Sequence, residues 1–314
     1  MLAILGITFP IYVIIALGYA CVRKGVFRPE HMPQFGGYVM NIALPALLFN
    51  AVATRDVSEV FDLTYMAVFL AGALATIAVG FVVFGALGLS PGRRAVAIMG
   101  TSCPNSGFIG YPVMLLSFPE IAGQILALNM LVENFVIIPV CLAIMEASKG
   151  RGEADLMHKL GHILLGVIRR PMVIALVAGL LVSLSGLGLP GPVLRVFEML
   201  AASASALALF VIGGALVGVP FRGNRGVAVM IVLGKLLVHP AMVALALLAV
   251  PLVGLAPLAP ELAAAVVISA AIPMFSIYAL FAQELGHEGM ASIAQILATG
   301  GAFVTLNVLL FVLL

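Results

Sequence analysis

Two prolines interrupt stretches that otherwise suit a membrane-crossing helix. AIMGTSCPNSGFIGYPVML places Pro104 in mid-segment, followed by Asn105, Ser106 and Gly107. AVVISAAIPMFSIYALF places Pro273 at a matching depth, with Met274, Phe275 and Ser276 behind it and Ser269 one turn before. Proline has no N–H and clashes with the preceding turn, so a helix kinks or opens there. Freed backbone groups at membrane depth are tolerated only when buried in protein or facing a cavity. If the two breaks meet, two half-helix N-termini converge, each with unpaired amides and partial positive charge. The amides around Asn105–Gly107 and Met274–Ser276 would suit a carboxylate, and the opposing carbonyl ends a cation. Asn105 and Ser106 could orient a substrate without a fixed charge, so that the anion is released more easily than from a buried arginine. A plain proline kink is the competing reading for either segment alone. Two breaks at equivalent places, with Asn and Ser adjacent, favour a substrate site of Pro104, Asn105, Ser106, Gly107, Pro273, Met274, Phe275 and Ser276.

A second group is ionisable. Asn129 and Glu133 are four residues apart and share a helix face, as do Lys235 and His239. A charge near the bilayer centre costs ~3 kcal/mol even on lenient insertion scales, so such residues pair or face water. The expectation is that Glu133 faces Lys235 or His239. Titration of Glu133 or His239 would couple transport to protons; alternatively Glu133, Asn129 and break carbonyls would hold sodium. A static ion pair that fixes helix packing is the competing reading. No cofactor is expected beyond a coupling proton or sodium ion, and no spacing suggests a metal site or a nucleophile–base pair. Cys21, Cys103 and Cys141 read as lone buried thiols.

The elements that must position these residues follow from composition. With 63% hydrophobic and 9% charged residues among 314, the bilayer is the solvent. A net charge of +2 gives no reason to expect nucleic acid. A span needs about 20 apolar residues. Ten segments qualify, near 2–22, 33–53, 64–89, 94–117, 120–146, 162–187, 191–218, 226–253, 260–284 and 289–314. The first lacks the basic start and cleavage site of a signal peptide. Twelve of the 15 Lys and Arg residues fall in or beside the loops after odd-numbered segments. Those loops should be cytoplasmic and both termini outside the inner membrane. The loop after the ninth segment breaks the pattern, with Glu284 and Glu288 but no Lys or Arg.

Five spans per half would insert two homologous halves upside down relative to each other. A shift of 161 carries Pro10, Gly18 and Gly25 onto Pro171, Gly179 and Gly186, and Leu48 and Phe49 onto Leu209 and Phe210. A shift of 169 carries Pro104 onto Pro273. The expected fold is an all-α membrane protein of ten helices: two inverted five-helix repeats, 1–158 and 159–314, with helices 4 and 9 broken and crossed. Asn41, Asn50, Ser203 and Ser205 read as helix–helix hydrogen bonders, and Arg195 with Glu198 as an interfacial pair.

The segment NIALPALLF (Asn41 to Phe49), the break SCPNSGFIGYP and the second break AAIPMFSIYALFAQE resemble the auxin efflux carrier family, which includes plant PIN-type carriers and bacterial malonate or malate permeases. The resemblance spans essentially the whole chain. Its most specific part is Pro-Asn followed by glycine and a second proline. It implies the fold of bile-acid symporters and sodium/proton antiporters. Spans 1, 2, 6 and 7 would be a scaffold that forms a homodimer. Spans 3–5 and 8–10 would be a transport domain sliding as an elevator. By the same resemblance, Pro104, Asn105 and Pro273 match the crossover and substrate positions. Segment 64–89 contains no charge, so the acid–lysine pair of the plant carriers has no counterpart, and a small metabolite carboxylate fits better than auxin. The expected function is secondary transport of a small organic anion. A cation/proton antiporter of the same fold is the alternative, and no enzyme activity is expected.

Overall fold

In a computed structural model, residues 2–55, 61–150, 161, 165–186, 188–218 and 223–314 are described. Most of the expected central linker, including Arg151 and Lys159, lies outside the described residues, as does Arg222. The described residues are helical and contain no strand. The helices are α1 (Leu2–Arg23), α2 (His31–Ala53), α3 (Leu63–Ala86), α4 (Pro91–Ser102), α5 (Ser106–Ser117), α6 (Ala122–Ala147), α7 (Pro171–Ser185), α8 (Gly191–Ala215), α9 (Arg225–Val253), α10 (Pro260–Ala271), α11 (Tyr278–Gln283) and α12 (Glu288–Leu313). Seven of them, α1, α2, α3, α6, α8, α9 and α12, are long and apolar enough to cross a bilayer. The expected segments 94–117 and 260–284 are each divided, into α4 with α5 and α10 with α11. A 12-residue piece such as α4 rises about 18 Å, well short of a hydrocarbon core of about 30 Å.

Proline shapes the long helices as well. Single π turns occupy Val39–Ala43, Ser106–Gly110, Glu133–Ile137 and Gly234–Val238. Each is followed, two residues on, by a proline: Pro45, Pro112, Pro139 and Pro240. Leu44, Ile138 and His239, the residues just before three of these prolines, donate to the carbonyls of Val39, Glu133 and Gly234, five residues back. The proline cannot donate to the carbonyl four residues before it. The helix answers by widening for one turn rather than breaking, a local device that recurs at functional sites.

The chain forms two compact units. The first holds Met1–Asp62, Ser106–Met130 and Gly166–Val219; the second holds Leu63–Asn105, Leu131–Leu165 and Pro220–Leu314. Inside the first, helices meet backbone to backbone at glycines. A Cβ on Gly18 would sit 2.1 Å from the Phe210 carbonyl oxygen, and one on Gly213 would sit 1.8 Å from that of Ile15. A Cβ on Gly179 would lie 3.0 Å from the Phe49 carbonyl oxygen. Small residues permit such approaches where no hydrophobic force separates helix from lipid. The Gly18–Phe210 and Gly179–Phe49 contacts exchange under the shift of 161 residues noted above. So do Gly25 and Gly186, both left-handed (φ 78° and 63°), which follow the ends of α1 and α7. Tyr38 and Ser203 share a hydrogen bond of 3.1 Å, as expected of Ser203. Asn41 instead bonds its own helix at Gly37, and the buried Asn50 Oδ1 has no partner. The expected Arg195–Glu198 pair does not form, since both side chains are exposed and no ion pair joins them.

In the second unit, α3 lies on α9, where a Cβ on Gly72 would meet the Val243 backbone at 2.6 Å. The acidic loop after α11 is also explained here. Lys149, just past α6, bonds both Glu146 and Glu284, and Arg93 lies close enough to His287 to act on it electrostatically. Glu284 thus offsets a basic cluster at the same end of the unit. Burial opposes the Lys149 ammonium, but the two carboxylates outweigh it and raise its pKa. The contribution is therefore present below the usual lysine range and is lost as pH rises through the raised value. Pairs this exposed are worth ~1 kcal/mol or less. Lys149→Ala should leave the melting temperature of the purified protein within about two degrees; a larger drop would show a tighter coupling.

Candidate functional site

The two proline breaks are one structure. After Ser102 the chain turns extended at Cys103 (φ −102°, ψ 103°), and after Ala271 it does so at Ile272 (φ −64°, ψ 139°). The extended pieces lie antiparallel and pair at Pro104 and Met274. The Asn105 amide donates to the Pro273 carbonyl at 2.8 Å, and the Phe275 amide donates to the Cys103 carbonyl at 3.3 Å. Each break supplies a backbone partner that the other lacks, which makes two open backbones tolerable away from water.

Side chains extend the brace. Asn105 Nδ2 donates to Ser276 Oγ at 2.9 Å, and Gln295 Nε2 from α12 donates to the Ser276 carbonyl at 3.1 Å. The Tyr278 hydroxyl donates to the Val96 carbonyl at 3.0 Å. It reaches there because Gly100 leaves room: a Cβ at Gly100 would sit 2.5 Å from that hydroxyl. Pro104, Asn105, Pro273, Met274 and Phe275 are buried, and Ser276 is partly so. The second unit therefore brings together six of the eight expected substrate residues: Pro104, Asn105, Pro273, Met274, Phe275 and Ser276. Ser106 and Gly107, which begin α5, belong to the first unit, where a Cβ on Gly107 would press on Leu44 at 2.9 Å. Asn129 also falls in the first unit.

The ionisable residues are arranged differently from expectation. Lys235 lies within the π turn of α9 and is fully buried, as is His239. Lys235 Nζ is 2.8 Å from His239 Nδ1 and donates to the Ala270 carbonyl, in the last turn of α10, at 2.6 Å. Its hydrogen bonds thus run to an imidazole and a backbone oxygen rather than to Glu133. Glu133 opens the π turn of α6, buried with Asn134, and acts on Lys235 through its field. A carbonyl carries no residue-type signature, so sequence spacing could not show Ala270 as the partner. The thiols also need correction. Cys103 and Cys141 are not lone: their sulfurs are 3.6 Å apart, and Ser102 Oγ is 3.4 Å from Cys141 Sγ. Both are free thiols. Tyr65 and Ser269 are joined by a hydrogen bond of 3.2 Å. Among the described residues no group of three or more His, Cys, Asp or Glu side chains could hold a metal ion.

The crossing thus gathers two opened backbones and the Asn105 amide side chain, and Lys235 is buried in the same unit. Comparisons with known proteins agree with a transport role. The family model described as "Membrane transport protein" matches residues 3–312. The chain is 30% identical over 256 residues to a Rhizobium meliloti protein named "Putative malonate transporter", covering 79% of this chain and 77% of that one. It is 26% identical over 232 residues to the "Uncharacterized transporter YfdV" of Escherichia coli K12, covering 71% and 72%. An "Uncharacterized transporter" of Methanothermobacter thermautotrophicus is 30% identical over 105 residues, about a third of either chain.

Proposed function

We propose a function from one premise: this chain belongs to the membrane transport protein family, the family of the auxin efflux carriers. It is a multi-pass membrane transporter and not an enzyme. The reading we add is that it carries a small organic anion, a malonate-like carboxylate, across the inner membrane by secondary transport. The observation behind it is the crossed pair of breaks, which gathers backbone dipoles and Asn105 without any acidic residue. A cation/proton antiporter of the same fold would need a titrating carboxylate there, and residues 103–105 and 272–277 contain none. The resemblance to the relative named for malonate supports the substrate class.

We read the chain as ten spans in two inverted repeats, with α4–α5 and α10–α11 as the broken fourth and ninth. The exchange of the Gly18–Phe210 and Gly179–Phe49 contacts under one shift supports the duplication. We read the carrier as an elevator with α1, α2, α7 and α8 as its scaffold; these four helices share one compact unit, which also takes in α5 and the start of α6. The same scaffold would form the homodimer contact. Both termini would face away from the cytoplasm.

The test is a thermal-shift screen of the purified protein against malonate, malate and related acids. A ligand at 100 times its Kd stabilises by about 2.7 kcal/mol. Dicarboxylates should raise the melting temperature while matched neutral diols and amines should not. A flat response to every carboxylate would overturn the reading. We read Glu133 as the acid that exchanges a coupling proton. Glu133→Gln should flatten the pH profile of malonate uptake into proteoliposomes; an unchanged profile would remove Glu133 from coupling.

A further inference from the structure

Helix α10 stops at Ala271, so the carbonyls of its last turn lack the amides a continuing helix would supply. They form the negative end of the helix dipole, inside the unit and away from water. One of them, Ala270, accepts a hydrogen bond from Lys235 at 2.6 Å. The ammonium's other partner is His239 Nδ1, at 2.8 Å. With Nδ1 accepting, the imidazole is neutral and its proton sits on Nε2, a buried atom that has no hydrogen-bond partner. Two adjacent cations at that distance would repel strongly, so the Lys235–His239 pair carries at most one positive charge. The charged or titratable groups acting on Lys235 through space are Glu133 and Cys103; neither is hydrogen-bonded to it.

Burying an ammonium is expensive, and an apolar side chain of equal volume would serve stability as well or better. The charge is therefore held there for where it lies. We propose that Lys235 is a tethered cation: its ammonium occupies the place at the carbonyl end of α10 that a free monovalent cation would otherwise take. The carrier then binds its anion without sodium. His239 orients the ammonium, and the Gly234–Val238 π turn ahead of Pro240 sets Lys235 at that level of the helix.

The inference rests on the carboxylate reading for its functional half, and two measurements separate the two. The first uses ligand-free protein. Lys235→Ala should melt several degrees below wild type in N-methylglucamine chloride. Methylammonium or sodium chloride should restore more than half of that loss while leaving wild type unmoved. No recovery with either cation would overturn the tethered-cation proposal. The second uses malonate as probe. Wild type should show the same malonate shift in sodium and in N-methylglucamine salts, and Lys235→Met, which keeps the volume without the charge, should lose it. A wild-type shift that needs sodium, or a full shift in Lys235→Met, would overturn the proposal. If Lys235→Ala does not fold, Lys235→Met decides. If no carboxylate stabilises wild type, the substrate reading fails and the ligand-free measurement alone judges Lys235.

Discussion

Asn105→Ala is expected to abolish the thermal shift that malonate produces and to reduce uptake by one to two orders of magnitude. Asn105 is 5% exposed and sits at the bridge between the two breaks. Its amide donates to Ser276 Oγ, which places a polar pair where the backbone dipoles converge. A hydrogen bond to a charged group is worth ~1.5–3 kcal/mol, and each 1.4 kcal/mol is about tenfold in affinity. The backbone bond from Asn105 to Pro273 does not depend on the side chain, so the crossing should survive the change. Asn105→Asp is the companion test. A negative charge facing a carboxylate should reduce binding at least as much; because burying it also lowers ligand-free melting, the malonate shift is read against each variant's own ligand-free melt. Binding retained in both variants would move the substrate site away from the crossing.

Gly213→Ala should be the most damaging single-methyl change in the first unit. The added Cβ would lie 1.8 Å from the carbonyl oxygen of Ile15, an atom fixed in α1. Overpacking typically costs ~1–3 kcal/mol. Here a whole helix must retreat, so the loss should reach the upper end of that range. Gly6→Ala is the control, because nothing lies within 4 Å of the added atom and alanine is the better helix former by about 0.5–1 kcal/mol. Melting in detergent should fall by several degrees in the first variant and hold or rise in the second. Equal melting in both would mean that α1 and α8 do not pack as described.

The crossing was legible because proline acts locally: Pro104 and Pro273 each deny one amide to their own helix, whatever surrounds them. The matching roles of Gly18 and Gly179, of Gly25 and Gly186, and of Phe49 and Phe210 were legible because close helix contacts and left-handed turns restrict residue type. The Lys235 partner was not, since the acceptor is a main-chain oxygen at Ala270. Nor was the Cys103–Cys141 proximity, which joins two helices whose relative rotation no spacing encodes. Gly100, Tyr278 and Gln295, which complete the brace, look like ordinary span residues. The π turns had a usable signal that composition hid: Pro45, Pro112, Pro139 and Pro240 each stand two residues beyond one.

The mutual brace between the breaks also bears on biogenesis. Pro104 leaves the ribosome about 170 residues before Met274, its bridge partner. At 5–20 residues per second that is a wait on the order of ten to thirty seconds. Throughout that interval the opened strand at Cys103–Asn105 has no carbonyl from Pro273 to meet. The insertion machinery, or water held beside it, must shelter the nascent chain until the second half arrives. A chain halted before residue 260 should therefore be handed to quality-control proteases, even though its first five segments are complete.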